Sequence, residues 1–591
     1  MEHRLLITIV FCLAVFLGWW LLFPQPQHPQ VQQSGQPAAP AAAPVTVAAP
    51  APATAPATGA AVVPPTREPP AAAAAPPDQR GKEQVVVVEQ PGLFRAELSS
   101  WGGRIRSYRL LDPQYLIGGE KRSLLDTVKG WFGDEPRRPE QQSTHPLDLV
   151  SVAEETFWPL GLTLPRSGLT LSGREQYEVV EQSAERVVFR YRDPAGRATI
   201  EKDYRFRPGS HLFELQVRVT NHGLAPMTRI LTLNTNGWQD PEHEQGSIFV
   251  PAINLRSAVC YVREEVIRKP STELKQVRSW ATESGEVLWS GTEDQYFLQA
   301  VLPGKTEQAE AGQLPRPASC SFLITEDNVV LSVYGSPAME VAPGQTSTQS
   351  FGVYFGPKQF YTLREVGQKL QLAVDFRWDW LRIICEPMLW LMRLFHGWTG
   401  NWGVAIIFLT LFVKLALFPF SYKSFKSMAA QQKLMPEMKA IQEKFKNDAQ
   451  RRNEEILKLY NRHKISPFAF AGGCLPMLMQ MPIYFALYQT IFSSAELYKA
   501  GFFFYLDDLS APDPYFVTPL LLGAIMWVQQ KITPTPAMDS AQVRMMQWMM
   551  PIMFTAFMLF LPSGLVLYIL ANSVFTIAQQ MLIQRRRLAK A

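Results

Sequence analysis

Apolar residues crowd into the first 23 positions and the last 200 or so, and between them short apolar segments alternate with polar ones. Leu5–Phe23 is an uncharged run of 19 residues preceded by His3 and Arg4. A membrane span needs roughly 20 apolar residues, whereas a signal-peptide core has roughly 7–15. No small-residue cleavage pattern closes the run, so residues 1–23 are predicted to be an uncleaved anchor with its amino end in the cytoplasm. Residues 24–81, rich in Pro, Ala, Gln and Thr, cannot bury enough surface to offset the entropy of ordering. They predict an extended, semi-stiff linker.

From 82 to 358 the pattern changes to period two. Thr199–Arg207 and Leu212–Thr220 alternate strictly, as strands with one buried face do. Turn signals at Asp193-Pro194-Ala195-Gly196, Pro208-Gly209 and Asn221-His222-Gly223 punctuate them, and many short strands with such turns predict a β-sandwich. His211, His222, Glu201 and Asp203 are the polar candidates here, but no motif fixes their mutual spacing. The block therefore reads as an accessory or interaction domain and not as an enzyme, with a sugar- or peptide-binding face left open.

The third pattern is helical. Residues 359–400 predict connecting and interfacial helices. Within Asp379–His396, the charges Asp379, Arg382, Glu386 and Arg393 fall in an arc of about 60°, and Trp380, Leu381, Ile384, Leu391, Leu394 and Phe395 occupy the rest. Such a helix satisfies both faces by lying flat in the headgroup zone. Apolar runs at 401–420, 474–492, 515–530, 546–561 and 564–583 predict five further spans. The two runs of 16 residues would reach about 24 Å, short of a hydrocarbon core of about 30 Å, which favours local thinning of the bilayer.

Charge orients this arrangement. Residues 421–470 carry eleven Lys or Arg against five acids, 494–514 carry four acids and one base, and the tail 584–591 is basic. By the positive-inside rule, 421–470 and both termini are cytoplasmic and the sandwich is periplasmic. The predicted fold is six transmembrane α-helices, an anchor plus a five-helix core at 401–583, with a large periplasmic β-sandwich and a cytoplasmic helical hairpin. In the hairpin, 421–470, Phe425, Met428, Met435, Met438, Ile441 and Phe445 recur at helical spacing. A break at Lys446-Asn447-Asp448 precedes Ile456, Leu457, Leu459 and Tyr460. A Met-lined seam suits adaptable binding of varied sequences and equally suits ordinary packing.

Candidate chemistry is sparse. Lys414 interrupts the second apolar run; a cation at bilayer depth costs about 2.5–3.5 kcal/mol on insertion scales, so it is functional or it snorkels. Thr410 lies four residues earlier on the same helix face, and Gln480, Gln489, Asn572 and Gln579 add polar groups to other spans. The cysteines Cys12, Cys260, Cys320, Cys385 and Cys474 form no CxxC motif. Cys260 and Cys320 can pair in an oxidising compartment or stand as two buried thiols, and the spacing leaves both open. No metal, cofactor or nucleotide motif occurs, and no basic stripe interleaved with aromatics points to nucleic acid.

Asn401-Trp402-Gly403, Gly472 to Tyr488 (GGCLPMLMQMPIYFALY), Asp508 to Tyr515 (DLSAPDPY) and Pro562 to Tyr568 (PSGLVLY) together resemble the YidC family of bacterial membrane protein insertases. The resemblance is sharp over about 380–583, and the layout is similar to the Gram-negative form. It implies a water-filled groove open to the cytoplasm and the lipid, in which a basic residue of the second span attracts acidic parts of a substrate. That position matches Lys414, where the family often has Arg; the charge is kept and the bidentate fork is lost. The groove set implied is Lys414, Thr410, Tyr568 and Gln480. Ile569 stands where relatives can carry a second Tyr. Met428, Met435 and Met438 would line the hairpin that captures substrate. The implied partners are nascent membrane proteins, the secretion (Sec) translocon, the ribosome at the tail, and membrane lipids. Two alternatives stand beside this. One is a small-molecule or ion transporter using Lys414, although no second half resembles the first as transporter repeats would. The other is a carbohydrate-acting domain merely anchored by the membrane part.

Overall fold

In a computed structural model of the chain, the alternation at 199–220 is realised as two antiparallel neighbours, Ala198–Phe206 and Leu212–Asn221, with Lys202 opposite Val217. The structure describes residues 81–117, 145–241 (without 153, 170 and 172), 255–304 (without 278), 317–422, 434–462 (without 435, 439, 442, 446 and 447), 469–532 (without 504) and 540–588. All of these belong to one unit, Ala72–Ala591. The predicted anchor, and all of the linker but Gly81, lie outside the described residues.

Two antiparallel sheets stack to form the sandwich. The larger runs in the order Glu265–Pro270, Ser257–Val262, Val287–Glu293, Phe297–Pro303, Thr346–Pro357, Leu212–Asn221, Ala198–Phe206, Arg186–Arg192, Glu178–Gln182. The facing sheet runs Ala281–Gly285, Ala318–Ile324, Val329–Gly335, Thr232–Trp238, Leu162–Thr163. Phe213, Leu215, Val217 and Val219 turn one face inward and are essentially fully buried, each worth roughly 1.5–3 kcal/mol of apolar burial. Cys260, in the larger sheet, is joined to Cys320, in the smaller, by a disulfide across the layers. Of the two readings open for these cysteines, the structure takes the paired one. Ser290 and Ser332 make a second, buried cross-layer contact at 2.9 Å. Two short helices, α1 (Ser271–Val277) and α2 (Phe360–Val366), flank the sheets.

The helical part begins with α3 (Asp379–Thr399). Of its charged arc, Asp379 and Arg393 are exposed and Arg382 and Glu386 half-buried, and the apolar remainder divides into two faces rather than one. Leu381, Cys385, Met388, Leu389 and Met392 are buried, whereas Trp380, Ile383, Trp390 and Trp398 are exposed. At about 100° per residue these sets point in nearly opposite directions: one packs on the neighbouring helices, and the other is an open aromatic face. Gly400, at φ 64°, ends α3, and its N–H donates to the His396 carbonyl at 2.7 Å. Asn401 then starts α4 (Trp402–Ala416), its side chain accepting from Val404 N at 3.1 Å. An ideal Cβ added at Gly403 would lie within the Phe502 ring's contact distance, so only glycine fits there.

Of the predicted break Lys446-Asn447-Asp448, Asp448 alone is among the described residues. Asp448 caps α5 (Ala449–Arg462) by accepting from Arg451 N at 3.0 Å. Its seam is Leu434, Met438 and Leu459, with Ile441 and Ile456 against them. Leu434 was not anticipated, Leu457 is exposed, and Met428 and Met435 lie outside the described residues.

The remaining helices are α6 (Ala469–Ser493), α7 (Val517–Ile532), α8 (Ser540–Met558, containing Pro551) and α9 (Ser563–Leu588). The run at 515–530 falls on α7, a helix of 16 residues. The run at 546–561 falls on α8, which has 19 residues and begins well before that run, because polar residues at its start extend the helix without extending the hydrophobicity. Among the described residues, Ser563–Ile583 alone is both long and apolar enough to cross a membrane, and Trp402–Ala416 is apolar but shorter. The loop 494–516 ties these ends together. Asp513 caps α7, accepting from Thr518 N at 2.7 Å, and Ser563 Oγ donates to the Asp508 carbonyl at 2.8 Å. The same loop seats on the sandwich: Gln114 Nε2 donates to the Tyr498 carbonyl at 2.7 Å, and the Tyr498 ring lies 4.9 Å from Tyr296.

Candidate functional site

The site is built on the inward face of α4. Ala405, Ile406, Leu409 and Thr410 are buried at spacings of one, three and four, while Phe408, Leu411, Phe412 and Leu415 are exposed. Lys414 continues the inward row one turn beyond Thr410 and is half-buried. Its Nζ donates to Thr576 Oγ1 on α9 at 2.8 Å. Among the described residues no carboxylate stands within ion-pair distance of it.

On α9 polar side chains recur every four residues, at Tyr568, Asn572, Thr576 and Gln580. Thr576 Oγ1 donates to the Asn572 carbonyl at 2.6 Å, and Asn572 Nδ2 donates to Tyr484 Oη on α6 at 2.6 Å. The Tyr484 ring meets Tyr568 edge-on at 5.5 Å. One hydrogen-bonded chain thus links three helices through Lys414, Thr576, Asn572 and Tyr484.

The structure brings only part of the expected set into this chain. Thr410 is buried, and its hydroxyl donates to the Ile406 carbonyl at 2.7 Å, so its polarity is absorbed by its own helix. Tyr568 is fully buried and joins through its ring. Gln480 lies on α6, but its side chain is outside the described residues. Gln489 is structural, donating to the Asp375 carbonyl at 2.9 Å, and Gln579 is buried. Met438 is buried in the hairpin's own seam. Thr576 and Tyr484 were not anticipated as site residues. Their signal was available: Thr576 follows Asn572 by four, and Tyr484 follows Gln480 by four.

Of the polar candidates of the sandwich, Glu201 and Asp203 lie together, bridged by Arg218. Glu201 and Asp203 face a ladder of arginines, with Arg190 Nε 2.8 Å from Glu201 and Arg186 Nε 2.9 Å from Asp203. His211 sits on the opposite, aromatic side, where burial pushes its imidazole down to about 4. His222 contacts Thr199 at 2.9 Å. The four do not converge.

Two family models match the chain: "60Kd inner membrane protein" over residues 394–590, and "YidC periplasmic domain" over 138–391. The membrane protein insertase YidC of Syntrophus aciditrophicus is 32% identical over 517 residues, 86% of this chain and 86% of its own length. That of Geobacter metallireducens is 31% identical over 99% of this chain and 98% of its own length. The chain belongs to the YidC family. It is accordingly an inner-membrane protein with a periplasmic domain, and the two family models meet within α3, the helix with two apolar faces. A solved YidC insertase with its first transmembrane domain resolved aligns at TM-score 0.33 and 18% identity, over 84% of this chain and 94% of that one. A galactose mutarotase-related enzyme from Lactobacillus acidophilus aligns at TM-score 0.31 and 10% identity, over 46% of this chain and 97% of that one.

Proposed function

We propose that this chain inserts nascent membrane proteins into the inner membrane and helps them fold, alone or with the secretion translocon, through a hydrophilic groove open to the cytoplasm. The observation that carries this reading is Lys414, a half-buried cation within the helical part whose described partner is a neutral hydroxyl. An uncompensated cation at depth is costly and is retained where it meets an anion in use. An acidic stretch of a substrate's outgoing segment is such an anion. The groove is assigned to Lys414, Thr410, Tyr568 and Gln480, and substrate capture to the hairpin with Met428, Met435 and Met438.

Six spans place both termini in the cytoplasm and the sandwich in the periplasm. The basic excess of 421–470 supports that orientation. The open aromatic face of α3 suits the headgroup layer, where tryptophans partition. A helix of 16 residues reaches about 24 Å, so α7 favours a thinned bilayer beside the groove. Shortening the polar path lowers the cost of carrying a hydrophilic terminus across. Burial of the apolar span in lipid, aided by the membrane potential, then drives insertion. The basic tail 584–591 is the segment that would meet the ribosome.

The test is reconstitution of the purified chain in liposomes with a single-span substrate bearing an acidic outgoing tail, scored by protease protection. Lys414→Arg is expected to keep the rate, and Lys414→Glu to lower it about tenfold, the factor corresponding to about 1.4 kcal/mol. Equal rates for the wild type, Lys414→Arg, Lys414→Ala and Lys414→Glu would overturn the reading.

A further inference from the structure

We propose that Thr576 is the positioning residue of the site: its hydroxyl, held as an acceptor by its own helix, sets where the Lys414 ammonium stands. The proposal rests on the reading of Lys414 as the receiver of acidic substrate segments.

A threonine hydroxyl has one proton and two lone pairs. In Thr576 the proton is committed to the Asn572 carbonyl at 2.6 Å, one turn back along α9. That leaves lone pairs for the lysine, which carries donors only, and Lys414 Nζ approaches to 2.8 Å. Branching at Cβ restricts the Thr576 side chain to few rotamers, so a back-bonded hydroxyl is a defined point. Asn572 is fixed from its other side, its amide donating to Tyr484 Oη at 2.6 Å. The position of the ammonium is therefore referred, through one hydroxyl, to the packing of α6 against α9.

Two chemical consequences follow. Thr576 has no proton left to offer an arriving carboxylate, so the carboxylate meets the ammonium and not the hydroxyl. A neutral hydroxyl is also a weaker acceptor than a carboxylate, whose charge-assisted bond is roughly twice as strong. Thr576 thus parks Lys414 without trapping it. Lys358 shows the trapped alternative, its Nζ 3.2 Å from the buried carboxylate of Glu293.

The experiment measures insertion of two single-span substrates, one with an acidic and one with a neutral outgoing tail, by the full chain in liposomes. Thr576→Val and Thr576→Ser are compared in the native and in the Lys414→Ala backgrounds. With Lys414 present, Thr576→Val is expected to slow the acidic-tail substrate about fivefold, as loss of one hydrogen bond would. The neutral-tail substrate should change less than about twofold, and Thr576→Ser should restore the rate. In the Lys414→Ala background, Thr576→Val should add nothing. Equal slowing of both substrates, or an undiminished effect without the lysine, would make Thr576 a packing residue and end the proposal. Should Thr576→Val fail to accumulate, Thr576→Ala carries the same comparison. A Lys414→Ala chain as fast as wild type on the acidic tail would instead refute the underlying reading of the lysine, and this proposal with it.

Discussion

Two inward-facing lysines separate the sandwich from the helical part. Lys202 is fully buried on the inner face of its strand and donates to three carbonyls, Gly102 at 2.8 Å, Gly103 at 3.1 Å and Leu160 at 2.8 Å. Those acceptors match the three donors of an ammonium, against a burial that pushes its pKa well down. Lys414 is half-buried and reaches one hydroxyl. The first lysine is satisfied and so is architecture, pinning two loops to the sheet. Among the described residues the second meets a single acceptor, which leaves two of its three donors in reserve. In a folded chain it is the incompletely satisfied cation, and not the most deeply buried one, that is free to meet a partner.

The comparison is broken or sharpened most strongly by replacing each lysine with Met. Lys202→Met strands two carbonyls, Gly102 and Leu160, at up to about 3 kcal/mol each, while Gly103 keeps the Tyr204 hydroxyl at 2.7 Å; it should lower stability by about 5 kcal/mol, read by denaturant unfolding of the chain in detergent. Lys414→Met should change the same quantity by about 1 kcal/mol or less. Similar losses for both would erase the distinction between them.

Next in size is the cross-layer disulfide. Replacing Cys260 and Cys320 together by Ser opens a closure between residues 60 apart in sequence. The expected cost is about 4 kcal/mol in the same measurement. No change on reduction of the wild-type chain would show that the layers hold without it.

His211 is a smaller and pH-dependent case. Its folded value, about 4, lies below that of an unfolded histidine, so between the two the unfolded chain binds more protons. Stability should therefore fall as the pH drops from about 6.5 toward 4, by about 2 kcal/mol at pH 5. His211→Phe, which keeps a ring among Phe94, Tyr108 and Tyr354, should flatten that slope. An unaltered slope would assign the acid sensitivity elsewhere.

The least of these effects is expected at Asn401. Removing its cap by Asn401→Ala should cost about 1 kcal/mol, seen as a lower melting temperature in detergent. A neutral result would mean that packing of Gly403 on Phe502 alone starts the helix.

Much of this was readable along the chain, for a physical reason: periodicity is local. The alternation at 199–220 needs only a sheet with one wet face, and it forms as expected, with even Lys202 on the inward parity. The helix that starts at Ala449 and the shared face of Thr410 and Lys414 follow equally from helical spacing. Other features required segments far apart to meet. Residues 162 apart bring Lys414 to Thr576, and residues 88 apart bring Asn572 to Tyr484. Whether Cys260 joins Cys320 depends on how two sheets stack, and the division of α3 into a packed and an open apolar face depends on which neighbours arrive. Hydrophobic pattern says that a side chain leaves water. What it leaves water for is set by packing between distant segments, and no single stretch of sequence carries that.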